Sequence, residues 1–110
     1  MPKISLNIEH IELGYLSERG GKYIFSANGD EVNRARKEFP IDMMLFNLNA
    51  TGMQVFDDIP YPFNSFLSGV NREDIMQKAG INVEDNDFVK LYKLSKLIIV
   101  RENFEIHNID

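Results

Sequence analysis

The sequence predicts an α+β fold: a single domain over residues 1–110 in which an antiparallel sheet is covered on one face by about three helices. Three observations support this prediction. Apolar and polar residues alternate on either side of a Gly20-Gly21 turn, helix-ending signals recur between Tyr61 and Leu97, and a short apolar run follows. The length of 110 residues is that of one domain.

The N-terminal part of the chain predicts strands joined by a glycine turn. Apolar residues recur at every second position with one interruption, a period typical of a half-buried strand: Ile4, Leu6, Ile8, Ile11, Leu13 and Tyr15. This spacing predicts one long strand or two strands separated near His10. Gly20 and Gly21 accommodate the positive φ of a tight hairpin turn, and β-favouring residues follow them. We therefore predict a hairpin from Ile11 to Ser26.

The middle of the chain alternates charged and apolar stretches. Residues Glu31 to Glu38 are mostly charged, which predicts a short exposed helix or a mobile loop. Residues Ile41 to Leu48 are mostly apolar, which predicts a strand whose two faces are both at least partly covered. The turn-rich stretch from Asn47 to Asp58 predicts a loop that packs on the sheet through Met53, Val55 and Phe56.

The predicted helical half begins beside two prolines. Pro62 suits the first position of a helix, and Ser68-Gly69 offers a left-handed end. Between them, helical spacing predicts a short aromatic helix through Phe63, Phe66 and Leu67. Tyr61, Phe63 and Phe66 next to rigid prolines are typical of either a corner of the core or an interface anchor.

Two further helices and the closing strands follow. Asn71 is a candidate N-cap of the second helix, and Gly80 is its candidate end. Asp85 or Asn86 is placed to cap a third helix, in which Phe88, Leu91, Tyr92 and Ser95 are predicted to share one face. The run from Leu97 to Val100 predicts a buried strand that returns to the sheet, and a final edge is predicted around Phe104, Ile106 and Ile109.

Composition disfavours several classes of function. A formal charge of -5 opposes binding to nucleic acid or to an anionic bilayer, because both partners require a net basic surface. Cysteine is absent from the sequence, which excludes disulfides and thiolate chemistry. The sequence has neither a signal-peptide core nor an apolar stretch of membrane-spanning length, so we expect a cytoplasmic protein.

The sequence offers few groups for catalysis. His10 and His107 lack a third positioned ligand for a metal, and the glycines do not form a phosphate-binding loop. Serines occur without a motif that places a base beside them, and the acidic run from Glu84 to Asp87 is typical of a solvated helix cap. We therefore expect a non-catalytic protein without a metal or cofactor.

The order of these motifs resembles the N-terminal domain of HipA-type kinases. Gly14 to Glu18 and the following hairpin are similar to the opening strands of that domain. Phe39 to Leu45 stands where the family has its Pro-Leu-Ser strand, and Pro62 to Gly69 resembles its Phe-Phe-x-x-Leu-Leu-Pro-Glu-Gly helix. Asp87 to Tyr92 is similar to the family's Asp-Phe-x-x-Leu-Leu helix. The resemblance spans about Ile11 to Val100, although Ser68-Gly69 replaces the usual Pro-Glu-Gly.

The resemblance implies a regulatory function. In that family the domain usually begins a chain that contains a serine/threonine kinase core, and this sequence contains none. It therefore looks like a HipS-type subunit of a three-component toxin–antitoxin system. In such systems the kinase toxin (HipT type) is a separate chain, and a helix-turn-helix protein (HipB type) binds DNA. The implied function is a non-catalytic antitoxin that binds and neutralises the kinase.

The predicted partner-binding residues are Tyr61, Phe63, Phe66, Leu67 and Val70. In the family, a tryptophan after the Pro-Glu-Gly turn is implicated in blocking the kinase site, and Val70 occupies that place here. The resemblance leaves two modes open. Either Val70 with Phe66 and Leu67 forms a smaller plug, or binding holds the kinase in an inactive arrangement.

Two hypotheses compete with the antitoxin reading. One is a generic α+β adaptor or scaffold domain that binds an unrelated protein. The other is a small enzyme that uses His10 or His107 with nearby carboxylates.

Overall fold

The computed structural model describes residues 2–97 and 99–109, and within them a six-stranded antiparallel sheet forms the frame. The strands are β1 Lys3–Ile8, β2 Ile11–Arg19, β3 Lys22–Ala27, β4 Met53–Phe56, β5 Val100–Arg101 and β6 Phe104–Ile109. Their order across the sheet is β4-β3-β2-β1-β6-β5. The predicted α+β class is confirmed.

The helices of the described residues are α1 Gly29–Glu38, α2 Glu73–Ala79 and α3 Asp87–Leu94, with 3₁₀ helices at Asp42–Leu45 and Phe63–Leu67. They pack against one face of the sheet. Ile4, Leu16 and Phe25 are cross-strand partners in neighbouring strands, so their side chains share that face. The ring of Phe25 lies 6.2 Å from that of Phe46 and 5.9 Å from that of Phe63, which joins the sheet to the helical layer.

The N-terminal part of the chain forms two hairpins, of which the one at Gly20-Gly21 is predicted from its turn residues. The chain breaks into β1 and β2 at Glu9 and His10, with Glu9 at a φ of 51°. Gly20 and Gly21 have φ values of 59° and 80°, the pair of positive angles that a type I′ hairpin turn needs. The hairpin from Ile11 to Ser26 is therefore confirmed, and of the two alternatives near His10 the structure has two strands.

A bulge in β2 brings α1 onto the sheet. The register shifts between Leu6, which faces Gly14, and Asn7, which faces Glu12, so Leu13 is the extra residue. The carbonyl of Leu13 accepts a hydrogen bond of 2.9 Å from the amide of Asn28, just before α1 begins. The charged segment is thus a helix rather than a mobile loop, held by its two buried apolar residues, Val32 and Ala35.

The strand predicted from Ile41 to Leu48 is wrong. This segment is the 3₁₀ helix Asp42–Leu45 followed by irregular chain. Met43 and Phe46, three residues apart, are buried on one side, while Ile41 and Met44 are each 79% exposed. A run of apolar letters does not distinguish a doubly covered strand from a turn of helix with an exposed side.

The loop predicted from Asn47 to Asp58 is wrong in its centre. Met53–Phe56 forms β4, which pairs with β3 at one edge of the sheet. Alternate side chains of a strand point to opposite faces, so Met53 and Val55 are exposed and only Phe56 packs partly against the core.

The two closing strands have exchanged their predicted positions in the sheet, since β5 lies at the edge and β6 lies in the interior. Of the segment from Leu97 to Val100, Ile98 lies outside the described residues, and Val100 belongs to the two-residue edge strand β5 and is 52% exposed. The strand that enters the sheet interior is β6, predicted as the edge, which lies between β1 and β5 and buries Phe104 and Ile106. Pairing with β1 on one side and β5 on the other gives β6 this interior position.

Two of the predicted helix ends are found in the structure and two others are not. Asn86 caps α3, because its side-chain oxygen accepts from the amide of Val89 at 2.9 Å, and Gly80 ends α2 in the left-handed conformation. Asn71 is not the cap of α2, since Arg72 holds that position and Asn71 instead accepts from Lys90 at 3.1 Å. Pro62 precedes a 3₁₀ helix and not an α-helix.

We expect Gly14→Ala to destabilise the domain by about 2 kcal/mol or more. A Cβ atom at Gly14 would lie 2.4 Å from the carbonyl oxygen of Ser26 and 2.6 Å from the ring of Phe25, which forms the centre of the core. Urea unfolding monitored by circular dichroism measures the change. The matched control is Gly21→Ala, where a Cβ meets nothing within 4 Å and only the strain of a positive φ, about 1 kcal/mol, applies. Equal losses in both variants would contradict the packing argument.

Candidate functional site

The five predicted partner-binding residues lie on one short segment, from Tyr61 to Val70. Phe63, Phe66 and Val70 are at most 4% exposed and belong to the hydrophobic core. Tyr61 and Leu67 are half-buried. In the isolated chain, substitutions such as Phe66→Ala or Val70→Asp therefore act on the core, and a partner would first meet Tyr61, Leu67 and their exposed neighbours.

The segment is held firmly in place. The ring of Phe63 packs at 5.9 Å from Phe25 of β3, and the 3₁₀ helix contacts α3. The Ser65 hydroxyl donates to the carbonyl of Pro62 at 2.6 Å, and the amide of Asn64 donates to the carbonyl of Pro60 at 3.0 Å. The surface of this segment is consequently pre-organised, which lowers the entropy that a binding event would cost.

Tyr61 connects the segment to the turn between β5 and β6. Its hydroxyl donates a hydrogen bond to the carboxylate of Glu102. Next to it, the side-chain amide of Asn103 donates to Asp42 at 2.6 Å. The bond to Glu102, together with desolvation and the negative charge of Glu102, raises the pKa of Tyr61 to about 12. The phenol is thus an uncharged donor at neutral pH.

A cleft of about 240 Å³ opens beside the same segment. Phe66 and Val70 form part of its apolar floor, and Ser68 and Gly69 form part of its wall. Gly69 has a φ of 78°, which turns the chain toward Arg72 and α2. Arg101 of β5 also lines the cleft and donates to the carbonyl of Ser68 at 3.1 Å. The cleft therefore lies between the Ser68-Gly69 turn and the edge strand β5.

The two histidines do not come together. His10 lies in the β1–β2 turn, where its Nε2 is 2.8 Å from a guanidinium nitrogen of Arg34. His107 lies within β6, where its Nε2 is 3.1 Å from Glu105. Across residues 2–97 and 99–109, no group of three or more histidine, cysteine or acidic side chains is arranged to hold a metal ion.

Ser5 and His107 face each other across β1 and β6 but do not form a nucleophile–base pair. The Ser5 hydroxyl donates to the backbone carbonyl of His107 at 3.3 Å and accepts from the Asn7 side chain at 2.8 Å. A nucleophilic serine requires the imidazole nitrogen as its partner. These contacts are structural, because they satisfy two buried polar side chains in the sheet.

The acidic run from Glu84 to Asp87 organises the start of α3. The Asp85 carboxylate accepts from the backbone amide of Asn82 at 2.9 Å and from the ammonium of Lys93 at 2.7 Å. The hydrogen bond to Lys93, followed by that to Asn82, lowers the pKa of Asp85. The run thus interacts with its own helix, in line with a helix cap.

Comparison with known proteins found neither a protein-family model that matches the chain nor a curated protein with significant similarity to it. In the part of the chain that the structure describes, no helix combines the length and the apolar character that crossing a bilayer requires.

Sequence reasoning missed Arg72 and Arg101 as neighbours of one cleft. Both are surface residues with ordinary sequence surroundings, and they come from the start of α2 and from β5. Only the return of β5 to the sheet edge brings Arg101 to Ser68. The one available signal is the glycine turn at Gly69, which marks a change of chain direction.

Removing the Glu102 carboxylate is expected to lower the pKa of Tyr61 from about 12 toward its ordinary value of about 10. The pKa of Tyr61 is higher in the folded chain than in the unfolded chain. The hydrogen bond to Glu102 therefore stabilises the fold at pH values below the unfolded pKa, and this contribution is lost as the pH rises through the folded pKa. Phenolate absorbance, with Tyr61→Phe subtracted to isolate this group, measures the effect in Glu102→Ala. Glu105→Ala is the control on the same hairpin. An unchanged midpoint in Glu102→Ala would contradict the assigned contact.

Proposed function

We propose that this chain is a non-catalytic regulatory subunit that binds and neutralises a separately encoded HipA-like serine/threonine kinase of the HipT type. It would act in the cytoplasm as the antitoxin of a three-component system with a HipB-type DNA-binding protein. The observation that carries the proposal is the segment from Tyr61 to Gly69. Its aromatic residues anchor it in the core, while Tyr61, Leu67 and the Ser68-Gly69 turn remain accessible beside a cleft.

The physical properties of this segment fit a docking surface. Buried Phe63 and Phe66 fix its backbone, so little conformational entropy is lost when a partner binds. The formal charge of -5 favours approach to a basic partner surface. An apolar centre with polar surroundings is the common composition of a protein interface.

The burial of Val70 favours one of the two proposed modes of inhibition. Val70 is only 4% exposed, so its side chain does not project as a plug in this conformation. We therefore favour the second mode, in which the surface around Leu67 and the Ser68-Gly69 turn holds the kinase in an inactive arrangement. Val70 then acts by supporting the turn from below.

A generic adaptor that binds an unrelated protein is the second candidate function. The observation that favours it is the edge strand β4, where Met53 and Val55 are exposed on the face opposite the helices. An exposed edge strand with apolar side chains can accept a strand from another chain. Such binding would use β4 and leave the segment from Tyr61 to Gly69 free.

Co-expression with the HipA-like kinase encoded nearest to this chain tests the proposal. We expect the kinase to copurify and its toxicity to be suppressed, and we expect Leu67→Glu to weaken binding about tenfold or more, because a charge would be buried at the interface. Val83→Glu is the matched control, since Val83 is exposed in the stretch between α2 and α3.

Each outcome of this experiment has a distinct meaning. Absence of binding to the kinase, with the chain folded by circular dichroism, would overturn the antitoxin proposal. Binding that survives Leu67→Glu but is lost in Val55→Glu would move the interface to β4. Equal loss in Leu67→Glu and Val83→Glu would show an effect of charge alone.

A further inference from the structure

The cleft beside Gly69 combines an apolar floor with a basic rim. Its floor consists of Phe66, Val70, Ile75, Leu94 and Ile99. Arg72 and Arg101 stand at its edge. Its volume of about 240 Å³ is below the roughly 300–1,000 Å³ of typical small-molecule sites, so it suits one large side chain of a peptide better than a cofactor.

Arg101 has hydrogen-bond donors available for an anionic group. Its guanidinium donates one hydrogen bond to the carbonyl of Ser68, and a guanidinium has further N–H donors in the same plane. Among the described residues, Arg101 has no carboxylate within 4.0 Å. Arg72 forms an exposed contact of 3.2 Å with Asp74, which solvent screens and an incoming carboxylate can replace.

The charge of the cleft is opposite to that of the whole chain. The sequence contains 17 acidic and 12 basic residues, yet the described residues that line the cleft include two arginines and no aspartate or glutamate. β5 is the last strand of the sheet, so one edge of its backbone is not used by the sheet. An extended peptide that lies along β5 would be next to Arg101, and Arg72 lines the same cleft.

We infer that this cleft binds an extended acidic segment of a partner protein, with one large apolar side chain on the floor and flanking carboxylates on Arg72 and Arg101. This inference deepens the proposed function, and it rests on that proposal only for the identity of the chain that supplies the segment. The apolar floor provides affinity through desolvation, and the arginines select peptides with acidic flanks.

Short synthetic peptides test the inference without the kinase. Each carries a central Leu, Ile, Phe or Trp with Glu on both sides, and a matched set carries Gln in place of Glu. Chemical-shift changes in the isotope-labelled chain are expected around the 68–72 turn and Arg101, with at least one Glu peptide binding about tenfold more tightly than its Gln match. Added salt should reduce this difference.

Arginine variants locate the binding. Arg101→Gln and Arg72→Gln are each expected to weaken the Glu peptide about threefold while leaving the Gln peptide unchanged. Arg36→Gln, on the exposed side of α1, is the matched control and should have no effect. The comparison of Glu and Gln peptides on the unaltered chain keeps the test decisive if a variant does not fold.

The outcomes separate this inference from the proposed function. Binding by none of the Glu peptides, equal affinity for the two sets, or shift changes confined to another surface would each overturn the acidic-segment site, even if the kinase copurifies. If the chain binds Glu peptides selectively but does not bind the kinase, the result would support the acidic-segment site and overturn the proposal that the kinase is the partner. If Arg101→Gln loses both the binding of Glu peptides and the binding of the kinase, the result supports the acidic-segment site and the proposed function together.

Discussion

The structure depends on the double pairing of β1. This strand lies at the interior of the sheet, bonded to β2 on one side and to β6 on the other, so it joins the two ends of the sequence. Its apolar residues Ile4, Leu6 and Ile8 are completely buried. A shift of one residue in either pairing would turn these side chains to the opposite face, and the helices would lose the surface on which they pack.

This pairing also fixes the candidate site. Because β6 is held against β1, the turn before it and the short strand β5 are brought next to the 3₁₀ helix Phe63–Leu67. Tyr61 then bonds to Glu102, and Arg101 bonds to Ser68, so two contacts connect the segment to the sheet edge. The cleft is consequently a product of long-range pairing, although its floor comes mainly from the helical layer.

The proposed function follows from a division of roles within one short segment. The buried residues Phe63, Phe66 and Val70 stabilise the fold, and their packing holds the accessible positions beside them in place. A surface of this kind can bind a partner without rearrangement, which suits a subunit that acts by holding another protein in one state. The inferred role of the basic cleft would add selectivity, because its two arginines favour acidic segments over neutral ones.

The sequence by itself determined the elements whose signals are local: the hairpin at Gly20-Gly21, the start of α3 at Asp85 or Asn86, the end of α2 at Gly80 and the α+β class. Turn and cap residues act on neighbouring backbone, so one stretch of chain is sufficient to identify them. Only the tertiary structure decided that Ile41–Leu48 is not a strand, that β6 and not β5 enters the sheet, and that Arg72 and Arg101 share a cleft. These features depend on which distant surfaces bury a given apolar or charged residue, and that choice is made by packing rather than by local pattern.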